Sequence, residues 1–457
     1  MAGQLPDNVW GNASMGEIRV FLGRCDAYEP DMILPILRRG LEAIGWDRPF
    51  TGRITVKPNG VMAHHVHARS CYTRPEFLRA VARLLRSAYP SEGAGSPGPG
   101  PQRPDVRLVE KCGVGQSTAR VMLRAGWTVL RGEGMRLVAA EEAPKVKVRL
   151  TTGVVHQEVT VARDMVDRDL LVFTPKLKSN VLSHGMTAAL KLNVGTLDDR
   201  ERMYRHHYDL DDKIVDMLEI ARPDLILTDA IEIGVGGNQM TEPGFSLGAV
   251  VVADNPLAHD MVTSQILGLD PLGIGHIKRA VQRGYGPAHP DEVTVVGDTT
   301  IAELRSKTAH LNLGFMRVDQ FPSPIRVVSG TPYCTGGCQG VLLDWLHMLR
   351  DRKPEYMKRL KAFTIVVGEV EEDVGRPAVL IGDCAAKSPK LASRGLPCIR
   401  GCPPTHRSII LGLALTRFVV GPLIRPDLVF DSYFHRPLRL AWARRHGRPA
   451  SWEDTRR

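Results

Sequence analysis

Asp169-Leu-Leu-Val-Phe-Thr-Pro-Lys-Leu-Lys-Ser-Asn180 is the stretch on which the fold turns. Its first half is an unbroken apolar run, the pattern of a strand covered on both faces, as parallel strands are. Pro175 ends that run, and Lys176, Lys178 and Asn180 follow at its end. Open α/β sheets place their sites at the carboxyl ends of strands. The run therefore predicts a central parallel strand with polar function at its exit.

The same grammar recurs on both sides. Residues 17–23 alternate as a half-buried strand, and Ile33 to Ile44 carry apolar residues at helical spacing. Ile54-Thr-Val is a short strand ending in Lys57-Pro58-Asn59-Gly60, with His64, His65 and His67 in the loop beyond it. A helix is expected from Pro75 to Ser87. Val106 to Val109 is a strand ended by Glu110, and Gly113-Val-Gly115 leads to a helix capped by Ser117 or Thr118. That Gly-x-Gly lacks the third glycine of a dinucleotide fingerprint. Val146 to Leu150 and Gln157 to Val161 read as a hairpin through Gly153. His184 precedes a segment ending in Lys191 and Asn193. Leu225 to Asp229 and Leu247 to Ala253 are further strands, and Pro256 to Leu267 is a helix.

Strands alternating with helices predict an α/β fold, a mostly parallel sheet with flanking helices. This domain is expected over residues 1–300, with a flexible low-complexity insertion near 91–104. Lys57, Asn59, Lys176, Lys178, Lys191, Asn193 and Asp229 all fall at strand ends and are the candidate catalytic set. Clustered lysines and asparagines suit a small anionic substrate, a carboxylate or phosphate, or they neutralise thiolates; plain surface lysines are the bland alternative.

Residues 301–457 are expected to form a smaller α/β module packed on the first domain. Its short apolar strands, Phe363 to Val367 and Ala378 to Ile381, are too few for a large independent core. Five of the eight cysteines lie between Thr331 and Pro404: Cys334-Thr-Gly-Gly-Cys338, Gly382-Asp383-Cys384 and Cys398-Ile-Arg-Gly-Cys402. Gly-containing turns let paired thiolates aim at one point. Iron and zinc both accept four thiolates. Zinc prefers compact C-x2-4-C knuckles, and this set is dispersed, so a 4Fe-4S cluster is expected and zinc is the alternative. Gly401-Cys402-Pro403-Pro404 resembles the cysteine loop of hydrogenase small subunits and of their respiratory complex I counterpart. That resemblance selects Cys334, Cys338, Cys384 and Cys402 as ligands and leaves Cys398 outside.

The chain of 457 residues is 43% apolar and 24% charged, the balance of a globular protein. The +10 net charge is scattered and aromatics are only 6%, a pattern unlike a specific nucleic-acid binder. It suits acidic substrates or an acidic electron carrier. No signal-peptide pattern opens the chain, and the longest apolar run, Ile409 to Val420, is too short for a bilayer and reads as a buried helix. A cytoplasmic, reducing location without a membrane partner is expected.

Val56-Lys-Pro-Asn59, Pro175-Lys-Leu-Lys178, Leu190-Lys-Leu-Asn193 with Gly195, Asp229 before its Gly-rich loop, and Ala253-Asp-Asn-Pro256 with Asp260 together resemble the domain-of-unknown-function 362 family. Gly268-Leu-Asp-Pro271 and the run to Gly297 also fit, so the resemblance covers roughly residues 50 to 300. It implies an iron-sulfur protein whose reaction is not assigned. The ferredoxin run C-x2-C-x2-C-x3-C-P that some members append is absent here, so the cluster site would be of a different build. Three functions follow as expectations: an iron-sulfur oxidoreductase or electron-transfer protein, a non-redox ligand-binding or group-transfer protein, or an iron-sulfur assembly factor.

Overall fold

The computed structural model describes residues 17–63, 69–87, 103–183, 185–205, 209–237, 243–352, 354–415 and 434–446. His64, His65, His67, His184 and all but the last two residues of the expected insertion lie outside them. So does the end of the apolar run after Leu415, whose start forms a helix, His406–Leu415.

Twelve strands precede the cysteine-bearing region. They are β1 Ile18–Arg24, β2 Arg53–Pro58, β3 Asp105–Glu110, β4 Arg136–Ala139, β5 Lys145–Arg149, β6 Glu158–Ala162, β7 Leu170–Thr174, β8 Lys176–Asn180, β9 Gly185–Thr187, β10 Leu225–Gly234, β11 Gly244–Ala253 and β12 Val293–Gly297. Ten of them form one sheet in the order β12-β1-β11-β10-β7-β2-β3-β4, with β8 paired to β10 and to β9. The run from β10 to β4 is parallel. β5 and β6 pair separately as the expected hairpin.

β11 departs from the parallel pattern, running antiparallel to both β10 and β1. The reason is length: the connection 235–243 is too short for a crossover helix, which needs a dozen residues or more. The reversal makes β1 run parallel to β10, so the exits of β1, β2, β3, β7 and β10 share one edge. β8 is a second departure. The chain resumes extended pairing after Pro175, with Lys176 opposite Asp229.

Helices cover both faces. Helix Pro75–Arg86 opens with proline at its first turn and buries Phe77, Leu78, Val81, Leu84 and Leu85 beside helix Pro30–Ile44. Helix Pro256–Ile266 lies on the opposite face, capped by the Asn255 side chain. Alternate residues of β11 serve each core, Val250 and Val252 one, Val251 and Ala253 the other. Each fully buried aliphatic side chain contributes about 1.5–3 kcal/mol.

A second, wholly parallel sheet follows: β13 Arg326–Ser329, β14 Thr364–Val367, β15 Ala378–Ile381 and β16 Cys398–Ile399. Its core includes Trp345, Leu346 and Leu349 of helix Cys338–Arg352, and it takes in Met62, Val181 and Leu182 from the exits of β2 and β8. The smaller sheet is thus packed against the carboxyl edge of the larger one. Among the described residues no helix is long and apolar enough to cross a membrane.

Candidate functional site

Lys57 is the penultimate residue of β2, with only 1% of its side chain exposed, and its Nζ donates to Glu110 Oε2 at 2.7 Å and to the Pro58 carbonyl at 2.9 Å. The partner ends β3, the neighbouring parallel strand. Burial pushes the Lys57 pKa down and the Glu110 pKa up, each opposed by the other's charge. Gly195 presses on this pair from above: a Cβ there would stand 2.6 Å from Lys57 Nζ and 3.1 Å from Glu110 Oε1. Only a bare backbone can approach so closely.

A second buried pair lies two strands away. Lys176 Nζ is 3.0 Å from Asp229 Oδ1 and donates to Tyr28 Oη at 2.6 Å, and that hydroxyl donates to Asp229 Oδ1 at 2.7 Å. Asp229 Oδ2 accepts from the Arg74 backbone N–H at 3.1 Å. Burial lowers the Lys176 pKa, while the Asp229 charge raises it. The Arg74 guanidinium sits 4.6 Å from the centre of the Tyr28 ring. Burial and then the Asp229 carboxylate hold the Tyr28 phenol above its ordinary value.

Thr73 connects the two regions. Its Oγ1 donates to the Thr174 carbonyl at 2.6 Å and accepts from Asn59 N–H at 3.0 Å. Beside it, among the described residues, Asn59 Nδ2 and Thr174 Oγ1 have no hydrogen-bond partner. Asn193, in the same tight turn as Gly195, is fully buried with neither Nδ2 nor Oδ1 partnered. A buried amide without partners costs about 1–3 kcal/mol. These three side chains leave both donors and an acceptor unsatisfied near the exit of β2 and in the Gly195 turn.

Of the seven expected residues, Lys57, Asn59, Lys176 and Asp229 stand along one edge, joined through Thr73 and Arg74. Asn193 comes to Lys57 through the Gly195 turn. Lys178 is fully buried on the same face of β8 as Lys176, and Lys191 is half-buried on helix Ala189–Leu192. Asp260 accepts from the Ala189 and Leu190 N–H groups and holds that short helix. Both Lys57 and Lys176 already have a protein carboxylate, so neither is a bare cation. Sequence reasoning missed Tyr28, Thr73 and Glu110 as site members. The exit of β1 was the available signal for Tyr28.

The cysteines occupy the carboxyl edge of the smaller sheet. Gly382 N–H bonds to the Ile399 carbonyl at 2.9 Å and Asp383 N–H to the Gly401 carbonyl at 3.1 Å, which sets the Cys384 loop beside the Cys402 loop. Cys334 N–H is held by Gln339 Oε1 at 3.0 Å, and Cys338 opens helix Cys338–Arg352. Gly382, with φ 92°, faces the Cys338 thiol: a Cβ there would stand 2.7 Å from Sγ. Burial pushes the Cys338 thiol up to about 12, aided by Cys334, Cys402 and Cys384. Cys402 is raised by burial and then by Cys384. For Cys398 the causes are burial, Arg400 and Asp383, with no other thiol among them. Cys25, Cys71 and Cys112 are buried in the larger domain.

Cys334, Cys384 and Cys402 therefore all lie near enough to Cys338 to act on its thiol, whereas Cys398 has no other thiol acting on it. Among the described residues no group of three or more His, Cys, Asp or Glu side chains is arranged to hold a metal ion.

Residues 54–265 match the family described as Domain of unknown function (DUF362). The chain is 26% identical over 299 residues to the Thylakoid-associated protein sll1697 of Synechocystis sp., covering 60% of this chain and 85% of that protein. Among solved structures, the lactate racemase apoprotein from Thermoanaerobacterium thermosaccharolyticum aligns over 81% of this chain and 72% of its own, at 15% identity and a TM-score of 0.33.

Proposed function

We propose that this protein is an iron-sulfur protein of the oxidoreductase or electron-transfer kind, with a 4Fe-4S cluster on Cys334, Cys338, Cys384 and Cys402 and a small-ligand site at the carboxyl edge of the large sheet. The observation that carries the reading is the gathering of the cysteine loops: the Cys384 loop is hydrogen-bonded to the Cys402 loop and faces the Cys338 thiol at Gly382, and Cys334, Cys384 and Cys402 all act on Cys338 whereas no thiol acts on Cys398. Their number and type fit a cubane, and the glycine facing Cys338 keeps free the space a side chain would fill. Bound there, the cluster would supply one-electron chemistry.

The chain's own residues do the rest. Lys57 with Glu110 forms a buried pair in which burial favours the neutral form of each partner, and burial likewise favours neutral Lys176 and Tyr28 beside Asp229, which makes these groups candidates to hold or move a proton. The unpartnered Asn59, Thr174 and Asn193 groups orient the ligand. The larger and smaller sheets meet through Met62, Val181 and Leu182, which supports two modules sharing an interface, with the boundary later than residue 300: helix Ile301–Thr308 packs into the larger core through Leu304, and Arg436 and Arg439 pair with Asp199 and Glu142 of the larger module.

Anaerobic purification tests the reading. A coloured protein with about four irons per chain is expected. Cys334→Ala, Cys338→Ala, Cys384→Ala and Cys402→Ala should each lose most of the iron, and Cys398→Ala should keep it. A colourless protein with one zinc, or iron that survives all four substitutions, overturns it.

A further inference from the structure

Helix Arg436–His446 follows the smaller sheet in sequence but is tied to the larger module, where it holds the turn from Lys111 to Thr118 at three points. Arg436 pairs with Asp199 at 2.6 Å, and the same carboxylate accepts the Gly115 N–H at 3.1 Å and lies 2.6 Å from Lys111 Nζ. His435 Nδ1 stands 2.9 Å from Ser117 Oγ. Arg439 Nε donates to Glu142 Oε1 at 2.7 Å, and its Nη2 pairs with the other oxygen of that carboxylate. The neighbouring Glu141 accepts from the Thr118 N–H at 2.8 Å, and Thr118 Oγ1 accepts from the Cys112 N–H at 3.1 Å. The Gly113-Val-Gly115 motif thus gives its Gly115 N–H, at a φ of 77°, to a protein carboxylate.

What holds this helix is polar. From Phe434 to Arg445, Arg439 alone is buried, while Phe434 and Leu438 are 58% and 69% exposed. A helix fixed in a fold turns its apolar stripe inward, and this one turns arginine inward instead. Among the described residues, none of its side chains joins an apolar core. Ion pairs between partly exposed side chains such as Arg436 and Asp199 hold weakly. Arg439 and Glu142 are buried, but release returns both charges to water and so restores the hydration they gave up. Elements with few buried apolar contacts open locally before the rest of a protein unfolds.

We propose that helix Arg436–His446 is a releasable latch that closes the turn from Lys111 to Thr118, and that its release frees this turn while the rest of the larger module stays folded. Glu110, the partner of Lys57, ends β3 and directly precedes the latched turn, so the latch sets how firmly the backbone beside that buried pair is held. The inference does not depend on what the cysteine edge holds.

The test uses the full chain as purified. In the parent, amide hydrogen exchange read by mass spectrometry should be at least about tenfold faster across 436–446 than across helix Pro75–Arg86. In Arg436→Gln/Arg439→Gln, exchange across 111–118 and iodoacetamide labelling of Cys112 should each rise at least about tenfold, while Cys25, buried at the exit of β1, reacts as in the parent. Arg436→Gln alone should give a smaller rise at the same places and covers loss of folding in the double variant. Arg444→Gln/Arg445→Gln, which removes two exposed arginines of the same helix, should match the parent. A helix that exchanges no faster than Pro75–Arg86, or a Cys112 as protected in the double variant as in the parent, overturns the latch. Equal rises at Cys112 and Cys25 overturn it too, because the helix is then part of the cooperative fold.

Discussion

Removing the Glu110 carboxylate should expose how much of the fold depends on a buried charge having its partner. In Glu110→Gln the Lys57 ammonium keeps its place, 1% exposed, with the Pro58 carbonyl but no anion. Breaking a buried pair from one side costs about 3–5 kcal/mol, against about 0–1 for an exposed pair. The pH dependence has a sign that identifies the cause. Burial already lowers the Lys57 pKa, and without Glu110 it must fall further. The unfolded chain then binds a proton that the folded chain does not, so the variant's stability recovers as pH rises toward the free-lysine value of about 10.4, by up to about 1.4 kcal/mol per pH unit. Lys57→Met should behave in reverse. It strands Glu110, whose pKa is already raised by burial, and its deficit should shrink as pH falls toward the free-glutamate value of about 4.3. Replacing both, Lys57→Met with Glu110→Leu, should cost less than either single change. Urea unfolding followed by circular dichroism across pH measures all of this. If both single variants stay within about 1 kcal/mol of the parent with flat pH profiles, the pair is not the buried ionic contact described here.

Two further outcomes concern the cysteine edge. Gly382→Ala places a methyl 2.7 Å from the Cys338 thiol at a φ of 92°, so iron retention should fall sharply and stability by about 1–2 kcal/mol; Gly395→Ala, also at positive φ (60°) but with nothing near its Cβ, should show only the backbone cost and keep its iron. In iron-free protein the Cys338 thiol, pushed up to about 12, should be alkylated at pH 8 roughly a thousandfold more slowly than an ordinary thiol and should speed up about tenfold per pH unit; mass-spectrometric mapping of iodoacetamide adducts reads this, and fast labelling at Cys338 would refute the burial assigned to it.

The elements were legible because their signals are local. The apolar run 170–174, the proline that opens helix Pro75–Arg86 and the alternation in β1 each need only neighbouring residues. What was not legible is pairing between distant residues. Lys57 meets Glu110 across 53 positions and Tyr28 meets Asp229 across 201. The first joins the ends of neighbouring strands β2 and β3 across a long connection, and the second depends on the order β1-β11-β10, which is not the order of the chain. The lysines therefore read as free cations awaiting an anion, when the fold supplies carboxylates to two of them. β8 was hidden for another reason. Its lysines have poor strand propensity, and burial beside β10 overrides that preference. The Gly- and Pro-containing loops that carry Cys334, Cys338, Cys384 and Cys402 were legible, because spacing within short loops is again local information.

Both sheets obey one rule, and its repetition ties the two sites mechanically. Parallel strands leave their carboxyl ends on one edge, so the lysine-bearing loops of the larger sheet and the cysteine-bearing loops of the smaller one each gather on an edge. The helix that starts at Cys338 runs over the exit of β8: Gly340 lies so close to Leu182 that a Cβ would come within 2.8 Å of its Cδ2. Leu182 is itself fixed by its N–H bond to Asn180 Oδ1 at 3.0 Å, and Asn180 ends the strand that carries Lys176 and Lys178. A displacement of the Cys338 loop is therefore passed to β8 through packed atoms with no room to absorb it, since close-packed interiors transmit strain. The cysteine edge of the smaller sheet and the lysine edge of the larger one are thus joined by a direct packing path through Gly340, Leu182 and Asn180.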